Sequence, residues 1–364
     1  MRVYVQLFDK ARLRLARQYR AIKKVDLARL VGLTPSALTQ IESGAVKPKT
    51  TTVMSLSLAL GFPIDYFIAD GHRPPIVMDQ GRSFFRSLRS TRQMDRDQAE
   101  ALAVLANEVL RGFTQFARLP ECDLPTTLFL PEDASFDQIE SAAEELRHLW
   151  SVPSGPIANV VRLLESHGVA VTKSSISASE VDSFSRWFDE RPLLLLRADN
   201  KDLPRLRFDA AHELGHLVLH NEIEPANRVL EQQAHRFAAA FLMPRTEIRG
   251  LLPASFNISE YGRLKGIWGV SIQALLYRAR DLGRMSEATY RRAMMRLNAQ
   301  GLRRYEPFPI DGEEEPLMWQ RALEIVQSCG TDPQSFEKQL RLPTGFLMAV
   351  AGTRTDLPSV SLLK

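Results

Sequence analysis

Cysteine is nearly missing from this 364-residue chain: Cys122 and Cys329 are the two, and they lie far apart. That excludes a cysteine-rich metal site and suits a reducing cytoplasm, the expected location. Long apolar runs are missing as well. Pro192-Leu193-Leu194-Leu195-Leu196 is strand-sized, well short of the ~18 residues that span a bilayer, so no membrane partner is expected. No apolar segment follows Met1-Arg2-Val3, so no signal peptide is predicted. The sequence has no internal repeat and no low-complexity tract. What remains is the composition of a soluble globular protein, 45% hydrophobic and 25% charged, and too long for one small core. Two or three domains are expected.

Charge is unevenly spread. Residues 1–62 hold eleven Lys/Arg against three Asp/Glu, a surplus of eight, while the whole chain carries +4. A basic head on a mildly acidic body points to a polyanionic partner for the head. The head also reads as a helical bundle over residues 5–67. Leu7, Ala11, Leu15 and Ala16 recur at helical spacing. A short helix, Val25 to Val31, ends at Gly32, where a left-handed residue stops a helix. Thr34 then caps a new helix, with Pro35 in its first turn, and a further helix runs from Thr52 to Leu60.

Beyond the head, His72-Arg73-Pro74-Pro75 and the basic stretch Arg82 to Arg92 read as linker. One long helix is predicted from Asp95 to Arg118, and two more near 136–150 and 156–167. Strands are predicted at Gly168–Val171, Val181–Phe188 and Leu193–Arg197, forming a β-meander among helices. Ser259 to Gly283 repeats a helix–turn–helix rhythm with Ser271 as cap. Arg278, Arg280, Arg284, Arg291 and Arg292 lie nearby. A packing subdomain is favoured there over a second DNA contact.

Histidines are few, and four of the seven fall between 212 and 235. His212-Glu213-Leu214-Gly215-His216 sits in a stretch predicted helical from Arg205 to Leu219. Residues four apart share a helix face, so His212 and His216 can converge on one cation, with Glu213 beside them as a proton acceptor. Two imidazoles favour zinc. Apolar flanks (Ala210, Ala211, Leu214, Leu217, Val218, Leu219) argue against a wet surface face, and Gly215 permits a close helix approach. His220 is set aside as a ligand. It lies ~12 Å along the helix from His212, and no glycine at 219 turns the chain back. It is expected at the helix end or supporting the site. The third ligand is sought on the next helix, Glu231 to Pro244. There Ala234, Phe237, Ala238, Phe241 and Leu242 make the buried stripe. Glu231 is displaced from that stripe toward the first helix. His235 shares Glu231's face and is either a supporting residue or an alternative ligand.

The stretch Arg207 to His220, with Glu231 to Pro244 and its Leu-Met-Pro end, resembles the ImmA/IrrE family of bacterial metallopeptidases. Asp182-Ser183-Phe184-Ser185 and Arg191 to Leu195 resemble the strands before that family's active helix. The resemblance covers residues 130–300. It implies zinc held by His212, His216 and Glu231, Glu213 as general base, and cleavage of repressor proteins in phage, mobile-element or stress responses. His235 departs from the Asn or Asp common at its position. The stretch Leu27 to Gly44 resembles the phage-repressor-like (XRE) helix-turn-helix family over residues 8–67. That implies base-reading by Ser36, Thr39 and Gln40, with Thr34 at the start of the reading helix and Lys24, Lys47 and Lys49 near phosphates.

The expected fold is mostly α, with an α+β zincin-like peptidase domain and an all-α N-terminal helix-turn-helix bundle. Its expected order is a DNA-binding domain at 1–69, a linker and connecting helix at 70–130, the peptidase domain at 131–250, a helical subdomain at 251–301 and a C-terminal helical region at 302–364. The expected function is a regulator that binds double-stranded operator DNA, as a homodimer if the operator is palindromic. It would cleave a protein substrate, a repressor or antitoxin, with a strand such as Leu193–Arg197 holding that substrate extended. The competing reading is a transcriptional repressor or antitoxin whose zincin-like domain senses or supports without proteolysis.

Overall fold

A computed structural model describes residues 7–69, 83–85, 93–174, 183–188, 191–197, 202–220, 227–303 and 305–352. The fold is mostly helical, with one small sheet. Asp182, the break at His72 to Pro75 and most of Arg82 to Arg92 lie outside the described residues.

The head contains α1 (Lys10–Tyr19), α2 (Lys24–Leu30), α3 (Pro35–Ser43) and α4 (Thr50–Leu60). Asp9 starts α1 by accepting the amides of Ala11 and Arg12. Leu7 therefore lies outside that helix, exposed, and Leu13 joins Leu15 and Ala16 in the core instead. The spacing reading failed there because a cap two residues later resets the helix start. Thr34 accepts the Ala37 amide, with Pro35 in the first turn of α3. Gly44 closes that helix with φ near 82°, which a side chain would resist. Leu27, Ala28, Leu38 and Ile41 are buried between these helices.

The connecting helix, α5 (Gln93–Phe113), packs along α1. Arg12 donates to Glu108 at 3.0 Å, and Gln98 Nε2 donates to the Tyr19 carbonyl at 2.9 Å.

The sheet has the order β1-β3-β4-β2, where β1 is Ser83–Phe85, β2 Ala170–Ser174, β3 Ser183–Phe188 and β4 Arg191–Arg197. β3 and β4 pair antiparallel, with Phe184 opposite Leu195, but β2 runs parallel to β4, with Val171 opposite Leu194. The sheet is thus not the meander expected. The four leucines of β4 fit a strand buried on both faces, as strands of parallel sheets are. Leu194 and Leu196 face one core, and Leu193 and Leu195 face the other. Because β4 is paired on both edges, it has no free edge on which to hold a substrate, and that expectation is withdrawn.

One face of the sheet is covered by α6 (Phe136–Leu149), α7 (Val160–Ser166), α8 (Leu203–Leu219) and α9 (Arg228–Leu242). The short α10 (Arg245–Ile248) and then α11 (Ile258–Trp268), α12 (Ile272–Asp281) and α13 (Glu287–Ala299) extend this core. Arg278 on α12 binds the carbonyl of Met243 at the end of α9 and pairs with buried Glu140 on α6. The opposite face meets α5 with α14 (Met318–Ser328), α15 (Pro333–Leu340) and α16 (Phe346–Val350). Trp319 Nε1 donates to the Val171 carbonyl at 2.7 Å, and Thr172 donates to the Val350 carbonyl at 2.8 Å.

Candidate metal centre and DNA-binding face

α8 is buried along nearly its whole length, which explains its apolar flanks. It lies against α9 at Gly215, where an added Cβ would come within 3.0 Å of Phe237 and 3.1 Å of the Ala234 carbonyl. This approach brings Glu231, one turn before Ala234, over the two histidines. His212 Nε2 and His216 Nε2 are 3.2 Å apart. One carboxylate oxygen of Glu231 lies 3.4 Å from His212, the other 3.4 Å from His216. His212, His216 and Glu231 are the group among the described residues able to hold a metal ion. Burial raises the Glu231 carboxyl, but hydrogen bonds and charge from His212 and His216 outweigh it and hold the group down at about 2. It is an anion over the whole physiological range.

His235 does not join this group. Its ring packs between Phe208 and Tyr277 and stands 6.5 Å from the His212 ring, centre to centre. His220 is the residue where α8 ends, and it is buried. Its Nδ1 is 3.0 Å from Nδ1 of His216, and its Nε2 is 3.0 Å from Oε1 of Gln233.

Donor and acceptor roles follow along that chain. Gln233 Nε2 donates to the carbonyls of Pro131 and Glu132, leaving Oε1 as an acceptor toward His220. His220 Nε2 therefore carries the hydrogen. Burial, with the charge of His216, lowers its pKa to about 4, so its Nδ1 is a bare acceptor at neutral pH. His216 Nδ1 must then donate, and Nε2 is the His216 nitrogen that faces Glu231.

Glu213 is fully buried. Ser183 and Ser185, two residues apart on β3 and so on one face, each donate to a different oxygen of its carboxylate at 2.8 Å. Burial raises the Glu213 pKa, while His216 and the two serines pull it back. Ser183, Ser185 and Gln233 were missed from sequence. The Ser-x-Ser spacing inside an apolar strand is the one signal that pointed at the serines.

Beside the cluster a cleft of about 780 Å³ opens between α8, α9, α12 and α13, with His235, Phe208, Asp209 and Tyr277 in its walls.

Two family models match the chain. Residues 164–280 match the IrrE N-terminal-like domain of peptidase M78, and residues 13–67 match a helix-turn-helix. The chain is a fusion of these two domains. The peptidase-family match is shorter than the span 130–300 read from sequence. No curated protein matches the chain.

The helix-turn-helix match makes the head that of a DNA-binding regulator. On α3, Ser36, Thr39 and Gln40 are exposed while Leu38 and Ile41 are buried, so the polar face is turned outward. Thr34, Lys47 and Lys49 are exposed beside it. Lys24 is exposed but paired: it lies 3.2 Å from Glu42, whose buried carboxylate also binds Arg17. The α11–α12 pair, with its similar rhythm, packs into the core that holds α8 and α9. Ile272, Leu275 and Leu276 of α12 are buried, and Glu306 accepts the amides of Ile272 and Gln273 at its start. No helix of the described residues is long and apolar enough to cross a membrane.

Proposed function

We propose that this chain is a DNA-binding regulator whose zinc centre hydrolyses a peptide bond in a protein regulator, a repressor or antitoxin. The observation that carries the reading is the convergence of His212, His216 and Glu231 with Glu213 next in sequence. A tetrahedral zinc with arms of ~2.0–2.1 Å holds its ligand atoms ~3.3–3.4 Å apart. In the fold the two Nε2 atoms lie 3.2 Å apart, and each lies 3.4 Å from a different oxygen of Glu231. Two imidazole nitrogens with one carboxylate also fit the donor set of a hydrolytic zinc.

When bound, the ion would polarise the scissile carbonyl and acidify a nearby water. The chain's own residues do the rest. Glu213 accepts the proton of the attacking water and returns it to the leaving amine. Ser183 and Ser185 hold its two oxygens in place. Gln233, through His220, keeps the Nε2 lone pair of His216 on the site. The cleft beside His235 receives the substrate chain. On DNA, Ser36, Thr39 and Gln40 read base edges from the major groove, with Thr34 at the helix start and Lys24, Lys47 and Lys49 near phosphates; a palindromic operator would be bound by a homodimer.

One observation favours the second reading, a regulator whose metal domain supports or senses without proteolysis: Glu213 has no exposed surface and both its oxygens are engaged. The two readings separate in one experiment. Zinc-loaded wild type and Glu213→Gln are incubated with a peptide library, and new termini are read by mass spectrometry. Proteolysis predicts new termini that fall by about 100-fold or more in the variant while its metal is retained. Equal cleavage by the two proteins, or none by either, contradicts it.

A further inference from the structure

A second cleft, of about 540 Å³, lies away from the metal centre, where the chain after α5, helix α7 and helix α14 meet. Three exposed arginines are among the residues that line it: Arg118 from the segment after α5, Arg162 from α7 and Arg321 from α14. None of the three has a hydrogen-bonded or ion-paired side chain among the described residues. The floor and walls are apolar, with Leu119, Leu317 and Ile325 among them.

The carboxylate within the cleft is already committed. Glu165 accepts the amides of Leu317 and Met318 at 2.9 and 3.1 Å and so caps the start of α14; burial raises its pKa to about 7 against the pull of these amides and of Arg321 and Arg162. Three arginines from three separate elements, against Glu165 as the one acidic residue among those that line the cleft, give it a net positive charge. Guanidinium forks match carboxylate and phosphate oxygens, and the volume is that of a small-molecule site.

We propose that this cleft binds a small organic anion: an oxyanion head held by Arg118, Arg162 and Arg321, on an apolar body lying against Leu119, Leu317 and Ile325. Such a ligand touches the segment that continues from the head-bound helix, the helix that leads into β2, and the first helix of the C-terminal group. It would tie these three elements together.

Calorimetry on the full chain tests this with defined probes: decanoate, decyl phosphate, decanol and inorganic phosphate. The first two distinguish a carboxylate from a phosphate head, and saturable 1:1 binding by either supports the site. Decanol and inorganic phosphate lack the head and the body respectively, and each should bind at least about ten-fold more weakly. Arg162→Gln and Arg321→Gln, both exposed positions, should weaken the tighter decyl anion about ten-fold each. Ile325→Asp, at a half-exposed wall, should do so as well. Absence of binding by both decyl anions overturns the proposal. So does equal binding of decanol or of inorganic phosphate, or affinity unchanged in a double Arg162→Gln, Arg321→Gln variant whose melting temperature matches wild type.

Discussion

At the residue scale, the metal cluster is set by polar side chains that the interior could not tolerate without partners. Glu213 is the sharpest case. Burial pushes its pKa up, and the hydroxyls of Ser183 and Ser185 hold it lower by bonding the ionised form. A general base works only when ionised, so its pKa sets the acidic limb of the rate. Removing a donor to the carboxylate raises that pKa, so the limb moves to higher pH. Ser185→Ala should therefore lose activity first at low pH and recover much of it as pH rises, read from the pH profile of cleavage. A profile that falls evenly at every pH would show that the serine does something other than tune Glu213. The histidine pair and the adjacent glutamate were legible in sequence because their chemistry is written in spacing on a helix. Gln233 was not, because a glutamine reveals nothing until its burial is known, and Ser183 and Ser185 showed only their shared face of a strand, not the carboxylate they would hold.

At the element scale, the site depends on how closely α8 and α9 approach. Gly215 makes room for Phe237 and the Ala234 backbone. Gly215→Ala should gain helix propensity and still lose, because the new methyl overpacks against backbone at a cost of about 1–3 kcal/mol. As α9 moves off, Glu231 withdraws from the histidines. The expected outcome is a lower melting temperature together with weaker metal binding in a competition against a chromogenic chelator. A variant more stable than wild type with unchanged metal affinity would contradict the packing argument. The close approach was anticipated from the glycine itself. The order of strands was not. Leu193 to Leu196 announces a strand buried on both faces, but alternation carries no information about which strand lies beside which. The parallel β2–β4 pair comes from tertiary contacts far along the chain.

At the scale of the whole molecule, the sheet divides two cores. One holds the metal helices, and the other is shared by the head, α5 and the C-terminal helices. The C-terminal region had no legible role in sequence, since its helices show only that some face must be covered. Here they cover the side of β4 that bears Leu193 and Leu195. The head keeps its polar α3 face outward, so DNA binding should follow counterion release. Lys49→Ala should weaken binding to all sequences alike and flatten the log–log salt dependence by roughly one phosphate contact, a slope change of ~0.9. Gln40→Ala should instead erase the preference for one operator while leaving the salt slope in place. Fluorescence anisotropy across a salt series distinguishes the two. A change of slope in Gln40→Ala with preference intact would reverse the assignment of these residues.

The central claim is that His212, His216 and Glu231 form one metal site and that His235 stands outside it. Elemental analysis of purified wild type, His216→Ala, Glu231→Ala and His235→Ala tests it most directly. The account predicts about one zinc per chain in wild type. It predicts the same in His235→Ala and little or none in the other two. A wild type without metal after zinc is supplied, or zinc lost with His235 and kept without Glu231, would contradict it.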